Sequence, residues 1–272
     1  MAEKMSLAQI MSIEHEAERV DLIYRHVFHE EGRLSRSQAA RVEFLTTIRM
    51  VEKDLKPGSR ILDLGAGTGA YSLYLAGKGH AVSAVELAGR NVRIMRERAA
   101  EQNVQIDIHH ASALDLSQFN DERFDAVLLM GPLYHLSQEG DRALCLKEAR
   151  RVLKAGGLLF AAFINHDMIP YTESACDPAW FEGDTYYHAS LRVRDEPFVF
   201  FTLEECRAML RSGGFEIREE VTSDGLSELM ADTINAMSEA AYAQYLRWHF
   251  YMCGQPGFLS AGNHLLFRAV KA

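Results

Sequence analysis

The chain has 272 residues, 48% of them hydrophobic, and a formal net charge of −9 at neutral pH. That is enough apolar material for a substantial core in one α/β domain with additions, while the charge counts against a nucleic-acid partner, because tracking phosphates takes clustered Lys and Arg. No run of about 18 apolar residues occurs, so no membrane span is expected, and the amino terminus lacks a basic segment followed by an apolar core, which points to a cytoplasmic protein.

Residues 1 to about 56 read as a helical preamble: Phe44, Ile48 and Val51 recur at three-to-four residue spacing, and Lys56-Pro57-Gly58-Ser59 closes it. Strands are expected near 60–64, 81–86, 104–109, 124–130 and 157–163, alternating with helices near 70–78, 90–102 and 141–153. Such alternation gives a parallel, doubly wound sheet with right-handed crossovers. A capping box, Thr202-Leu203-Glu204-Glu205, opens a further helix that ends at Gly213-Gly214. Strands from Phe215 to Glu219 and from His264 to Val270 complete the sheet. Cys145, Cys176, Cys206 and Cys253 lack C-x-x-C spacing and read as buried free thiols. Arg90, Arg93, Arg96 and Arg98, after the second strand, read as a solvated helix face.

The most specific feature is Ile61-Leu62-Asp63-Leu64-Gly65-Ala66-Gly67-Thr68-Gly69-Ala70. Glycines at alternate positions let the chain turn tightly off a strand and let a ligand approach the backbone, where a side chain at Gly65 or Gly67 would collide with it. The loop also fits the dinucleotide fingerprint, with Ala70 as the last small residue. Asp63, at the strand's end, favours a positively charged ligand part over a pyrophosphate. Glu86, closing the next strand, stands where a carboxylate binds a ribose diol.

With these residues the chain resembles the class I S-adenosylmethionine (SAM)-dependent methyltransferases, and further motifs follow in the same order. The resemblance implies a doubly wound, seven-stranded, mostly parallel sheet whose last two strands pair antiparallel at one edge. It implies SAM as cofactor. The loop residues Asp63, Gly65, Ala66, Gly67 and Gly69 would wrap its methionine part, Glu86 and Leu87 its ribose, and Ser112 and Ala113 its adenine, Ser112 standing where the family commonly has Asp or Asn. Met130 and the following Gly131-Pro132-Leu133-Tyr134-His135-Leu136 resemble the motif beside the reacting methyl. Arg151 to Gly157 resembles the turn into the fifth strand, with Ala155 in place of the usual Pro. Amino-methylating relatives carry an Asn-Pro-Pro-Tyr motif in the loop after strand four. Its absence counts against nucleobase and glutamine substrates.

On this reading residues 1–56 are an N-terminal helical cap and 57–272 the methyltransferase domain, with insertions near 164–200 and 225–262. Family practice puts substrate specificity in such additions. The middle one carries Trp180, Phe181, Tyr186 and Tyr187, either as a lid over a small acceptor or as rings that anchor it to the core. The last is expected to cap the pocket or bury a dimer interface, leaving a monomer or a homodimer open.

Methyl transfer from a sulfonium is an in-line displacement that needs a base only when the nucleophile must lose a proton. Tyr134 and His135 are the catalytic candidates, against the alternative that Tyr134 packs and His135 caps the next turn. Tyr24, Arg33 and Arg36 are placed to reach the cofactor carboxylate or the substrate. His26 and His29, beside Glu30 and Glu31, lack a third metal ligand, and no metal is expected. The expectation is transfer to O, N or S of a small molecule. An NAD-dependent oxidoreductase, a protein or tRNA methyltransferase and an inactive SAM-binding protein stay open as alternatives.

Overall fold

In the computed structural model, residues 5–28 and 30–272 are described. Three helices precede the first strand: α1 (Leu7–Met11), α2 (Glu16–His26) and α3 (Gln38–Glu52). Ser37 caps α3 by accepting from the Ala40 N–H, which satisfies one of the donors that a helix start leaves orphaned. The alternating core follows: β1 (Arg60–Leu64), α4 (Ala70–Gly77), β2 (Ala81–Glu86), α5 (Gly89–Glu101), β3 (Asp107–His110) and β4 (Phe124–Leu129). Next come α6 (Pro132–His135), α7 (Glu139–Val152) and β5 (Leu153–Asn165). The middle addition holds α8 (Ile169–Cys176), a 3₁₀ turn at Trp180–Glu182, and the short strands β6 (Tyr186–Tyr187), β7 (Arg192–Val193) and β8 (Phe200–Phe201). The chain closes with α9 (Leu203–Ser212), β9 (Phe215–Thr222), α10 (Ala231–Asn235), α11 (Glu239–Met252) and β10 (His264–Lys271).

The main sheet runs β3-β2-β1-β4-β5-β10-β9, with β8 added beside the end of β5. β1 to β5 are mutually parallel, and β10 lies antiparallel between β5 and β9. The mostly parallel, doubly wound α/β fold is therefore as expected. Successive strand residues point to opposite faces, so both faces of a covered sheet must be apolar. Leu62, Val127, Leu159 and Phe163 pack with Cys145 and Leu146 of α7 and Leu210 of α9, while Ile61, Leu128 and Phe160 pack with Ile48 and Val51 of α3 and Leu75 of α4. Asp63 is the acid among these apolar neighbours, only 1% exposed.

Some expectations need correction. β3 starts at Asp107 rather than near 104, because Val104 N–H bonds back to Ala99 O and Asn103 takes a positive φ of 51°, closing α5. Cys145, Cys206 and Cys253 are buried, but Cys176 is exposed at the end of α8. On α5, Arg93 and Arg96 are exposed, whereas Arg90 pairs with Glu31 and Arg98 donates to Thr68.

The last addition braces the preamble. Ile234 and Tyr242 pack on Ala39 and Val42 of α3, Tyr242 OH donates to Gln38 O at 2.7 Å, and Thr46 Oγ1 lies 2.9 Å from His249 Nε2. A partly buried ion network continues this link. Arg33 grips Glu43 with both Nη groups at 2.7 and 3.2 Å, Glu43 lies 3.8 Å from His264 Nδ1, and that nitrogen bonds Asp224 Oδ2 at 2.9 Å. Burial opposes charge on His264, but Glu43 and Asp224 outweigh it and push its pKa up to about 9. A histidine whose folded pKa exceeds its unfolded value contributes stability that is complete below about pH 6.5 and lost as pH rises through the folded value. Thermal unfolding should therefore show the melting temperature falling between about pH 7 and 9.5. His264→Gln should melt lower at pH 7 and lack that decline.

Candidate active site

β1 carries Asp63 as its last residue but one, and after Leu64 the chain turns at once through Gly65 (φ 69°), Gly67 (φ 55°) and Gly69 (φ 85°) into α4. The loop is pinned to β2, with the Gly65 N–H donating to Val85 O at 2.9 Å and the Gly67 N–H to Glu86 Oε2 at 2.8 Å. The reasons for glycine differ by position. A Cβ on Gly65 would lie 2.7 Å from the Pro132 ring, so this glycine admits the loop after β4. A Cβ on Gly67 would meet only the Glu30 side chain, at 3.9 Å, so Gly67 faces open space.

That space is a cavity of about 980 Å³ along the carboxyl ends of the parallel strands, where open α/β sheets take ligands. Its wall includes Asp63, Gly65, Ala66, Gly67, Glu86 and Leu87. Ser112, Ala113, Met130, Tyr134 and His135 line it as well. Gly69 sets the turn beneath it, packed on Met95. Ser112 Oγ accepts from the Leu114 N–H at 3.2 Å. The preamble adds Glu16, Val20, Tyr24, Glu30, Arg33 and Phe44 to the wall. Among the described residues, none of 164–200 or 225–262 lines it, which leaves the lid and cap alternatives for these additions without support from the wall. In the middle addition Trp180 is buried and stacks on Tyr186 at 5.2 Å, which is the anchoring role.

Of the two buried carboxylates at the loop, Asp63 is short of a partner and Glu86 is not. Asp63 Oδ2 accepts from Ser72 Oγ at 2.6 Å, but Oδ1 is buried with none. Desolvation, with the charge of Glu86 adding to it and Ser72 opposing, pushes the Asp63 carboxyl up to about 7. Glu86, 5% exposed, accepts from Gly67 N–H and from Ala88 N–H at 2.7 Å, and burial still raises its pKa. A buried carboxylate that keeps an unpaired oxygen fits a donor or a cation.

At the other end, α6 starts at Pro132, whose lost N–H costs nothing at a helix start. Tyr134 OH donates to Met130 O at 2.5 Å, so this hydroxyl is engaged by its own turn. The His135 ring packs between Tyr134, Phe198 and Tyr24, with Nε2 2.7 Å from the Tyr24 hydroxyl and Nδ1 buried without a partner. Burial lowers its pKa to about 4. Arg33 is committed to Glu43 and Glu30, and Arg36 is exposed and off the cavity wall. Glu30, read from sequence only as a neighbour of His26 and His29, instead faces the glycine loop; His29 itself lies outside the described residues. No periodic or motif signal marks it.

Asp224, Glu228 and His264 form a metal-like group. Nδ1 of His264 is bonded to Asp224 and its raised pKa keeps a proton there, so the group is read as an ion pair. Among the described residues no helix is long and apolar enough to cross a membrane.

Residues 61–157 match the profile of a family described as a methyltransferase domain. Ubiquinone biosynthesis O-methyltransferase of Xanthomonas campestris pv. campestris is 36% identical over 109 residues, 40% of this chain and 44% of that protein. The chain thus matches under half the length of its curated relatives. Among solved structures, the PH0226 protein of Pyrococcus horikoshii superposes with a TM-score of 0.62 at 19% identity, covering 92% of this chain and 98% of that one. A SAM-dependent methyltransferase of Thermotoga maritima, described as a possible histamine N-methyltransferase, gives 0.57 at 20% identity, with 95% and 100% covered. The fold is that of the solved SAM-dependent methyltransferases. Residues 61–157 carry a methyltransferase domain of that type, with SAM as the cofactor.

Because Asp63 is protonated below about pH 7 and a cationic or donor group needs the carboxylate, cofactor affinity should rise with pH from 6 to 8. Calorimetry with SAM across that range checks this. Asp63→Asn should flatten the profile at weak affinity, and by removing a buried acid should raise the melting temperature of the free protein at pH 8 by roughly 2–6 °C.

Proposed function

We propose that the chain transfers a methyl group from SAM to O, N or S of a small-molecule acceptor by in-line displacement, with residues 57–272 as the methyltransferase domain and 1–56 as its cap. The observation that carries this is the single cavity joining the glycine loop and Glu86 to the Tyr24–His135 pair. Its volume suits two small ligands side by side. The carboxylates on its wall disfavour a pyrophosphate, which counts against an NAD enzyme, and the O-methyltransferase names of the relatives favour oxygen as the acceptor atom.

When bound, SAM supplies a methyl group on a sulfonium sulfur, a leaving group that departs uncharged. In this reading Gly67, Ala66 and Asp63 hold its methionine end, Glu86 and Leu87 its ribose, Ser112 and Ala113 its adenine, with Met130 beside the methyl. Tyr134 braces the turn through Met130 O and positions rather than reacts. His135 is neutral at pH 7, so a lone pair is available for general-base work. Its Nδ1 is sealed and Nε2 takes the Tyr24 hydroxyl, the better donor of the two. A proton leaving the acceptor therefore passes to Tyr24 Oη while Tyr24's own proton moves to Nε2.

Incubating the protein with methyl-labelled SAM and a panel of phenols, amines and thiols tests the proposal. Transfer to at least one class is expected. His135→Phe, which keeps the ring packing, should lower the rate on a protonated acceptor on the order of 10²-fold while binding S-adenosylhomocysteine (SAH) normally. Tight SAH binding with no transfer to any member would leave a cofactor-binding protein instead.

A further inference from the structure

Glu30 sits in the connection between α2 and α3, and its carboxylate is the nearest group to a Cβ placed on Gly67. It shares the cavity wall with Asp63 and Glu86, and the charges of Glu30 and Glu86 both bear on the Tyr24 hydroxyl. Three carboxylates thus converge on the open side of the glycine loop. Their compensation is incomplete. Asp63 Oδ1 is buried without a partner, and Arg33 reaches Glu30 only through Nε at 3.3 Å, both Nη groups being on Glu43. The excess negative charge calls for a ligand that brings positive charge to this spot.

We infer that Glu30, delivered by the preamble, is a cofactor-binding residue that reads the positive charge of the cofactor and so separates SAM from SAH. The inference rests on the SAM reading of the site. The two forms share the amino-acid ammonium and differ by one methyl and one positive charge at sulfur, so a carboxylate beside the ligand stabilises the more positive form more than the other. Loss of that charge on transfer weakens the hold on the product. Glu30 is the separable member of the trio, since Asp63 and Glu86 also bind the loop's own backbone and side chains.

The test is calorimetry of wild type, Glu30→Gln and Glu30→Asp with three probes: SAM, SAH, and sinefungin, which carries an ammonium in place of the methylated sulfur. Glu30→Gln should weaken SAM and sinefungin about tenfold and SAH less than about threefold. The gap should narrow in 0.5 M salt, and Glu30→Asp should restore part of it. Equal weakening of all three would mean that Glu30 acts only by holding Arg33 and the preamble, and would overturn the inference, as would no change in any. Failure of wild type to bind any probe would instead overturn the cofactor reading itself. Melting curves establish that each variant is folded.

Discussion

Buried carboxylates at the ends of β1 and β2 govern the arrangement of this molecule. Asp63 and Glu86 lie in the apolar sheet that the alternating βα units build, where desolvation penalises their charge. The glycine loop recovers part of that cost by turning the Gly67 N–H toward Glu86, and the turn after β2 adds the Ala88 N–H. The rest is left to a ligand, and the carboxyl edge of the sheet is where the chain leaves room for one. A fold optimised for stability alone would have apolar residues at both positions.

The same edge carries a second line of charge, largely withdrawn from solvent, from Glu30 through Arg33 and Glu43 to His264 and Asp224. Buried ion pairs seldom add net stability over apolar packing, because desolvation consumes the Coulombic gain, but breaking one partner is costly. Their effect here is to fix register: Arg33 and Glu43 belong to the preamble, whereas His264 opens the strand inserted between β5 and β9. The preamble can therefore sit on the sheet in one way only. A ring cluster of Tyr24, Phe28, Tyr134, His135 and Phe198 ties three distant segments together beside it.

The core was readable because its signals are local. Apolar runs such as Ile61–Leu64 and Val127–Leu129, helix ends at Gly213-Gly214, and the capping box at Thr202 each report on a few neighbouring residues, and all appear as read. Asp63 and Glu86 were legible for the same reason, as acids in positions where a strand wants apolar side chains. What escaped was non-local. Nothing near Glu30 says that it will face Gly67, and the aromatic density of 164–200 gives no sign that Phe181 and Tyr186 gather on Trp180 while Phe198 packs on His135. Tyr134 and His135, adjacent in sequence, look equivalent until the Met130 carbonyl is seen to take one and Tyr24 the other.

The preamble's two parts are held by different forces, and this bears on how the site works. α3 is packed into the core through Val42, Ile48, Met50 and Val51, but α2 buries only Ile23 and is held mainly by polar contacts: Asp21 to the Gly89 N–H, Glu16 to the Ser137 N–H, and Tyr24 to His135. Elements with little buried apolar area open at low free-energy cost. α2 is thus the less firmly held of the two, and the segment that carries Glu30 lies between them. Its placement sets Glu30 beside acids already short of positive charge, so binding of a cation at the loop and the holding of this segment must strengthen one another to the same degree.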